Sequence, residues 1–314
     1  MQKIKKRITL IIPAYNEENS LKQLIQRLDD VTAKFSLYKF TYLFINDGST
    51  DQTLDILIEE SQQHSNVSYL DLSRNFGKET AMLAGLDYAN GDAVIILDAD
   101  LQHPPEIIKQ MINFWEEGYE DVYAVRERAK DKNKLRNWFS ELYYKIIQKM
   151  TSEKVYANVG DFRLLDRKCV LALRELRENE RYMKGMYGWI GFRKKEITYQ
   201  EEDRTTGESK WKISDLIKLA IDGLTSYSTI PLKIWSYIGF VISLISFLFL
   251  LFKILKTFIY GSSVAGYPSL LAAIIFLGGI QLISLGVIGE YLSRVFIETK
   301  GRPTYIIRDK NIED

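Results

Sequence analysis

Residues 94–105, VIILDADLQHPP, decide the fold class. Val94, Ile95, Ile96 and Leu97 run without a break into Asp98, Ala99 and Asp100. An apolar run this short and β-branched predicts a buried strand, of the parallel kind. The carboxyl end of that strand then delivers two carboxylates spaced i, i+2. While the chain stays extended, this spacing sets both on one side. In open α/β sheets, ligands bind beyond the carboxyl ends of the strands. Two converging carboxylates there suit a hard divalent cation carrying a phosphorylated ligand; a solvated acidic turn is the plainer alternative.

On either side of this stretch, strand and helix signals alternate. Residues 8–12 form a short apolar run closed by Pro13. Ser20 precedes a helical face of Leu21, Leu24, Ile25 and Leu28. Residues 40–45, FTYLFI, are strand formers ending at the turn Asn46-Asp47-Gly48-Ser49. A helix over 53–61, a strand over 67–72 and a helix over 77–89 follow. Beyond residue 97 come a helix over 105–117, opened by Pro105, and a strand over 121–125. Strands alternating with helices of this length predict an α/β domain with a mainly parallel sheet, covered on both faces. The polar loops 13–18, 46–51, 73–78 and 98–103 all follow strands. They should gather at one edge of the sheet.

Composition bounds the partners. The 314 residues carry 42 Lys+Arg against 41 Asp+Glu, so no bulk charge argues for nucleic acid. Hydrophobic residues make up 46%, enough for a sizeable core. The one cysteine, Cys169, allows no intrachain disulfide, and one cysteine with two histidines argues against a structural zinc site. The first apolar run is too short for a signal-peptide core, so the first half is expected to stay on the side where it is made.

The last third changes character. Residues 234–252 and 270–289 carry no charge, and each is long enough to cross a hydrocarbon core of about 30 Å as a helix. Spans are therefore expected at about 234–254 and 269–291, with Glu290 near the interface. Lys253 and Lys256 fall on the connector. Lys210, Lys212, Lys218 and Lys233 precede the first span, and Arg294, Lys300, Arg302, Arg308 and Lys310 follow Glu290. That bias predicts a multi-pass protein of the cell membrane with both termini cytoplasmic. Residues 212–226 are amphipathic and suit a helix feeding into the membrane plane. Residues 134–150 are amphipathic too, either at the membrane interface or packed on their own domain. The expected division is a cytoplasmic domain over 1–211 and a membrane part over 212–314.

The ordered set Pro13-Ala14-Tyr15-Asn16-Glu17-Glu18, Asn46-Asp47-Gly48-Ser49-Thr50-Asp51, Arg74-Asn75-Phe76-Gly77-Lys78 and Asp98-Ala99-Asp100-Leu101-Gln102 resembles the inverting family-2 glycosyltransferases of GT-A fold. Gly160-Asp161-Phe162-Arg163, the 204–211 loop RTTGESKW, two C-terminal spans and Arg302-Pro303 narrow the resemblance to the polyisoprenyl-phosphate glycosyltransferases. It covers nearly the whole chain.

The resemblance implies roles. Pro13, Tyr15, Glu17 and Asp47 match the nucleoside-binding positions, with Asp47 accepting from the base. Asp98 matches the ribose and metal position. Asp100 and Gln102 match the remaining metal positions, for Mg²⁺ or Mn²⁺. Arg126, Arg136 and Arg204, with Ser140, match the clamp for the acceptor phosphate. Asp161 matches the proposed catalytic base, or else orients the acceptor or the sugar. Lys78 replaces a histidine common in relatives, and either contacts the donor or faces solvent. The implied reaction moves one sugar from a nucleotide sugar, UDP-glucose or UDP-N-acetylglucosamine, to undecaprenyl phosphate. A flippase would follow, and Gly278-Gly279, Gly286 and Gly289 suit packing against a second copy. A processive or direct glycan transferase is the alternative, although the Gln-x-x-Arg-Trp pattern of processive synthases is absent. A non-catalytic nucleotide-sugar scaffold is the rival from outside enzymes.

Overall fold

A computed structural model describes residues 5–126, 159–179, 181–199 and 266–312, and scattered positions between 239 and 259. The chain divides into two compact units, Met1–Lys212 with Arg302–Asp314, and Ile213–Gly301.

The first unit is built on one mixed sheet. Its strands are β1 (Lys6–Ala14), β2 (Tyr38–Asn46), β3 (Val67–Leu72), β4 (Ala93–Ile96), β5 (Asp121–Arg126), β6 (Val159–Asp166), β7 (Lys194–Tyr199) and β8 (Ile307–Lys310). The spatial order is β7-β5-β6-β4-β1-β2-β3-β8. The centre is parallel: β1 pairs with β2 and β4, and β2 with β3. β6 runs antiparallel between β4 and β5, while β7 is parallel to β5. The order therefore reverses at β1, where β2 lies on one side and β4 on the other. That reversal is the topological switch point at which such sheets bind ligands.

Helices cover both faces. α1 (Leu21–Thr32), α2 (Thr53–Gln63) and α4 (Ile108–Glu116) bury Leu21, Leu24, Ile25, Leu57, Met111 and Ile112 against Ile8, Leu10, Ile12, Ile95 and Leu97. α3 (Lys78–Tyr88), α5 (Arg167–Glu175) and α6 (Met183–Trp189) pack on Ile11, Val94 and Ile96, which point the other way. The alternation along β4 is the period-2 pleat expected of a strand buried on both faces. Each large side chain so buried is worth about 1.5–3 kcal/mol. α3 is buried over consecutive residues Ala81 to Leu86, because it lies between the sheet and α5. Gly85 marks how closely α3 approaches the sheet: a Cβ there would lie 2.5 Å from Ile11 Cγ2. Ser20 does not cap α1 in the usual way; its hydroxyl donates to the Glu17 carboxylate at 2.8 Å.

The carboxyl-terminal segment departs from the expected division at residue 211. It returns to the sheet as β8, antiparallel on β3. Tyr69 N–H donates to Asn311 Oδ1 at 2.6 Å, and Tyr69 Oη donates to Asp309 at 2.8 Å. Arg308 Nη2 donates to the Ser73 carbonyl at 2.6 Å. The sequence Ile307-Arg308-Asp309-Lys310 is too charged to read as a strand, yet charge is what an edge strand carries to discourage further pairing.

In the second unit, α7 (Tyr267–Thr299) is a helix of 33 residues, about 50 Å long. Within it Leu277–Thr299 is the one helical stretch among the described residues that is long and apolar enough to cross a membrane. The helix runs on past the expected end at residue 291, through Glu290 and Arg294, whose side chains pair at 3.4 Å. Most of the other expected span, 234–254, lies outside the described residues. Those described there are helical, with Val241, Leu244, Ile245, Leu248, Phe249 and Phe252 exposed.

Candidate active site

The loops after β1, β2, β3 and β4 meet at the switch point. Gly48 has φ +66°, and a Cβ there would lie 2.4 Å from the Arg74 carbonyl carbon, so only glycine lets the two loops touch. Asn16 adopts φ +57° and accepts from Thr50 N–H at 2.8 Å, while Glu17 N–H donates to Thr53 Oγ1 at 2.8 Å. These bonds tie the β1 loop to the β2 loop. The β4 turn is fixed from within. Gln102 N–H donates to Asp100 Oδ1 at 3.1 Å across Leu101, which is held at φ +63°. Asp98 N–H donates to His103 Nδ1 at 3.1 Å, and the His103 ring stacks on Phe162 with centroids 4.8 Å apart.

Together they wall an open cleft of about 290 Å³. Pro13, Tyr15, Glu17, Asp47, Lys78, Asp98 and Asp100 all line it, joined by Asn75 and Gly77. Tyr15 is 46% exposed and leaves its ring available at the mouth.

Three of the expected site residues make contacts that the sequence does not report. Asp47 spends both carboxylate oxygens on the β3–α3 loop, accepting from Phe76 N–H at 2.7 Å and Gly77 N–H at 2.9 Å. It therefore braces that loop first, and meets a ligand only through its remaining lone pairs. Burial pushes its carboxyl up, and the two amides partly offset this. The Lys78 side chain is partly exposed, but its ammonium is turned onto two carboxylates. Its Nζ lies 2.6 Å from Asp98 Oδ1 and 3.1 Å from Asp161 Oδ2. Burial alone would lower the Lys78 ammonium, but the Asp98 and Asp161 charges outweigh it and raise it. Burial likewise works to raise Asp98, and Lys78 reverses that, holding the carboxyl below its usual range. Gln102 joins the turn through its backbone and is not among the residues that line the cleft.

The donor set suits a hard cation only in part. Asp98 and Asp100 offer carboxylate oxygens, the type that Mg²⁺ and Mn²⁺ prefer. Among the described residues, no group of three or more His, Cys, Asp or Glu is gathered to hold a metal. A cation here would draw its remaining oxygens from a bound ligand. Glu17 adds negative potential: burial raises its carboxyl, the Ser20 hydroxyl opposes this, and Asp100 and Asp98 raise it further.

Asp161 stands at the start of β6, which brings it to the same edge. One of its oxygens is buried without a hydrogen-bond partner. Arg126 closes β5 at that edge as well, since β4 and β5 run the same way on either side of β6. Arg136, Ser140 and Arg204 lie outside the described residues.

Sequence reasoning passed over Glu79. Its Oε2 accepts from Met183 N–H at 2.9 Å, at the N-terminus of α6. Burial, reinforced by Asp161, pushes its carboxyl up from 4.5 to about 7. The sign follows. Below 4.5 both folded and unfolded chains hold the proton. Between 4.5 and 7 the unfolded chain ionises first, so stability falls as pH rises, and the penalty is complete above 7. Glu79→Gln keeps an oxygen for Met183 and removes the titration. The variant should gain stability over the wild type by about 1–3 kcal/mol more at pH 7.5 than at pH 5, read from melting midpoints. Equal differences at both pH values would show that the carboxyl is not raised.

Residues 9–173 match the model of the family "Glycosyl transferase family 2". The chain belongs to glycosyl transferase family 2. Full-length relatives of this family-2 chain agree. It is 47% identical over 96% of its length to an uncharacterized glycosyltransferase of Synechocystis sp., covering 95% of that protein. It is 41% identical over 97% of its length to the bactoprenol glucosyl transferase of Shigella phage SfV, covering 99% of that protein. Among solved structures, mannosyl-3-phosphoglycerate synthase from Rubrobacter xylanophilus aligns over 69% of this chain and 71% of its own, with TM-score 0.48 and 14% identity. The family assignment and the β1–β4 sheet together describe a GT-A-like α/β domain.

Proposed function

We propose that this protein transfers one sugar, with inversion, from a nucleotide sugar to undecaprenyl (polyisoprenyl) phosphate, and that UDP-glucose is the donor. The observation that carries this reading is the likeness to the phage bactoprenol glucosyl transferase, which runs through the apolar C-terminal third as well as the cleft. The cleft supports the donor half. Pro13 and Tyr15 flank the nucleoside, with the Tyr15 ring offered to a base. A divalent Mg²⁺ or Mn²⁺ ion bound by Asp98 and Asp100 would offset charge on the leaving nucleoside diphosphate.

In the reaction, the bond from the sugar's C1 to the diphosphate oxygen breaks, and its electron pair stays with the nucleoside diphosphate. A lipid phosphate oxygen forms the new bond to C1 from the opposite face. The attacking phosphate is already ionised near neutral pH, so no base is needed to deprotonate it. Asp161, held by Lys78, then serves to orient the sugar or acceptor. Arg126, Arg136 and Arg204, with Ser140, hold the acceptor phosphate, a task that suits the bidentate guanidinium. The rate advantage comes from positioning and charge stabilisation. The protein acts at the cytoplasmic face of the cell membrane, on a multi-pass membrane part that can self-associate. Its lipid-linked β-sugar passes to a flippase for glycan modification outside.

The test offers the purified full-length protein several radiolabelled nucleotide sugars with undecaprenyl phosphate and Mg²⁺ or Mn²⁺. The expected product appears with UDP-glucose, partitions into organic solvent and migrates as one species. A ladder of products would move the assignment to a processive transferase. Absence of transfer from every donor would favour the scaffold.

A further inference from the structure

Like charges placed directly opposite each other on neighbouring strands repel. β4 and β6 pair with Ile96 opposite Arg163. Just beyond that last pair, Asp98 on one chain segment and Asp161 on the other are both within reach of a single ammonium. One ammonium relieves the pair: Lys78 Nζ lies 2.6 Å and 2.8 Å from the two oxygens of Asp98, and 3.1 Å from Asp161 Oδ2. The position of Lys78 is costly in another respect. It is the first residue of α3, where the helix already presents partial positive charge and a cation is disfavoured. A cation held at a helix start, between two carboxylates on a cleft wall, stands where a phosphate-bearing ligand would meet it.

We infer that Lys78 is a built-in counter-cation that competes with the divalent metal for Asp98, so that metal enters the cleft together with the donor's diphosphate. This deepens the donor-and-metal reading above and rests on it. Both oxygens of Asp98 are engaged by the ammonium, so a metal arriving alone must break a charge-assisted pair. It finds few protein oxygens in return, because no third acidic or histidine ligand is gathered among the described residues. A diphosphate changes both sides of that balance. It supplies oxygens to the metal and a new anion to the displaced ammonium. Lysine suits this exchange: its charge is compact and sits on a flexible stem, so it can be re-aimed. The side chain is 43% exposed, which leaves room for that motion.

The experiment measures Mn²⁺ binding to the detergent-solubilised full-length protein, from the electron paramagnetic resonance signal of the free ion, with and without UDP. Lys78→Met removes the charge at similar length, and Lys78→Gln provides a second neutral variant should the first fail to melt cooperatively. Without UDP, the neutral variant should bind Mn²⁺ at least about tenfold more tightly than the wild type. With saturating UDP, the difference should shrink to less than about threefold, since the wild-type ammonium has then left Asp98 and the variant has none. Adding Asp98→Asn to the neutral variant should abolish the gain. If wild type and variant bind Mn²⁺ equally without UDP, while UDP promotes binding in both, the competition is overturned and the metal reading survives. If Mn²⁺ binds none of these proteins even with UDP, both fall.

Discussion

Asp100→Asn is expected to lower sugar transfer at least about a hundredfold while leaving the melting midpoint almost unchanged. The reason lies in the division of labour between the two oxygens of Asp100. Oδ1 accepts from Gln102 N–H and closes the turn that holds Leu101 at its positive φ. An asparagine oxygen can make the same bond, so the turn survives. The negative charge does not. The cleft then loses one of the two carboxylates to which the proposed reaction gives the metal, and that reaction's main demand is stabilising charge on the leaving diphosphate. Asp100→Ala removes both the charge and the turn bond, and should leave no detectable transfer. Comparing the two separates chemistry from backbone positioning. An asparagine variant that transfers sugar at the wild-type rate would remove Asp100 from the site.

The second large effect concerns stability. Asp121 is completely buried at the start of β5. Arg163 Nη1 donates to its two oxygens at 3.2 Å and 3.1 Å, and Lys194 Nζ lies 2.7 Å away. Arg163 also stacks on Tyr187, with its guanidinium carbon 3.4 Å from the ring centroid. Asp121→Ala would leave two buried cations facing each other with no anion between them. Breaking a buried pair in this way costs about 3–5 kcal/mol. For a unit of this size the melting midpoint should fall by roughly 10 °C. Replacing the three together, as Asp121→Leu, Arg163→Met and Lys194→Met, should recover most of the loss, because no unpaired charge remains. An Asp121→Ala protein that melts with the wild type would show that water already compensates these charges.

Much of this architecture is written locally. The strands over 67–72 and 94–97, and the helices after them, are legible because apolar residues recur with the period of the element and end at glycine, proline or acidic turns. The gathering of the loops at one edge follows from the same alternation, and the cleft residues from Pro13 to Asp100 follow from the loops. β6 escaped because Asp161 and Arg163 interrupt it. Only the distant Asp121 and Lys78 make those charges acceptable indoors, and no window of sequence contains those partners. The contacts of Asp47 and Lys78 were illegible for a related reason. A motif reports which residues reach the site, but not which of their atoms are already engaged by neighbours. Glu79 carried no signal beyond an acidic residue in the first turn of a helix, where carboxylates are ordinary.

The return of β8 to β3 has a consequence for the order of events during synthesis. Tyr69 waits for Asp309 and Asn311, which follow it by 240 and 242 residues. Every apolar segment of the second unit must leave the ribosome before these partners exist. Until then the outer edge of β3, carrying Val67, Leu70 and Leu72, offers unpaired backbone groups to any strand nearby. Closing so long a loop costs only slightly more than closing a short one, but it slows folding. The catalytic unit is thus begun early in translation and finished late. During that interval it is exposed to mispairing, so the time taken to synthesise the second unit sets how long that edge stays open.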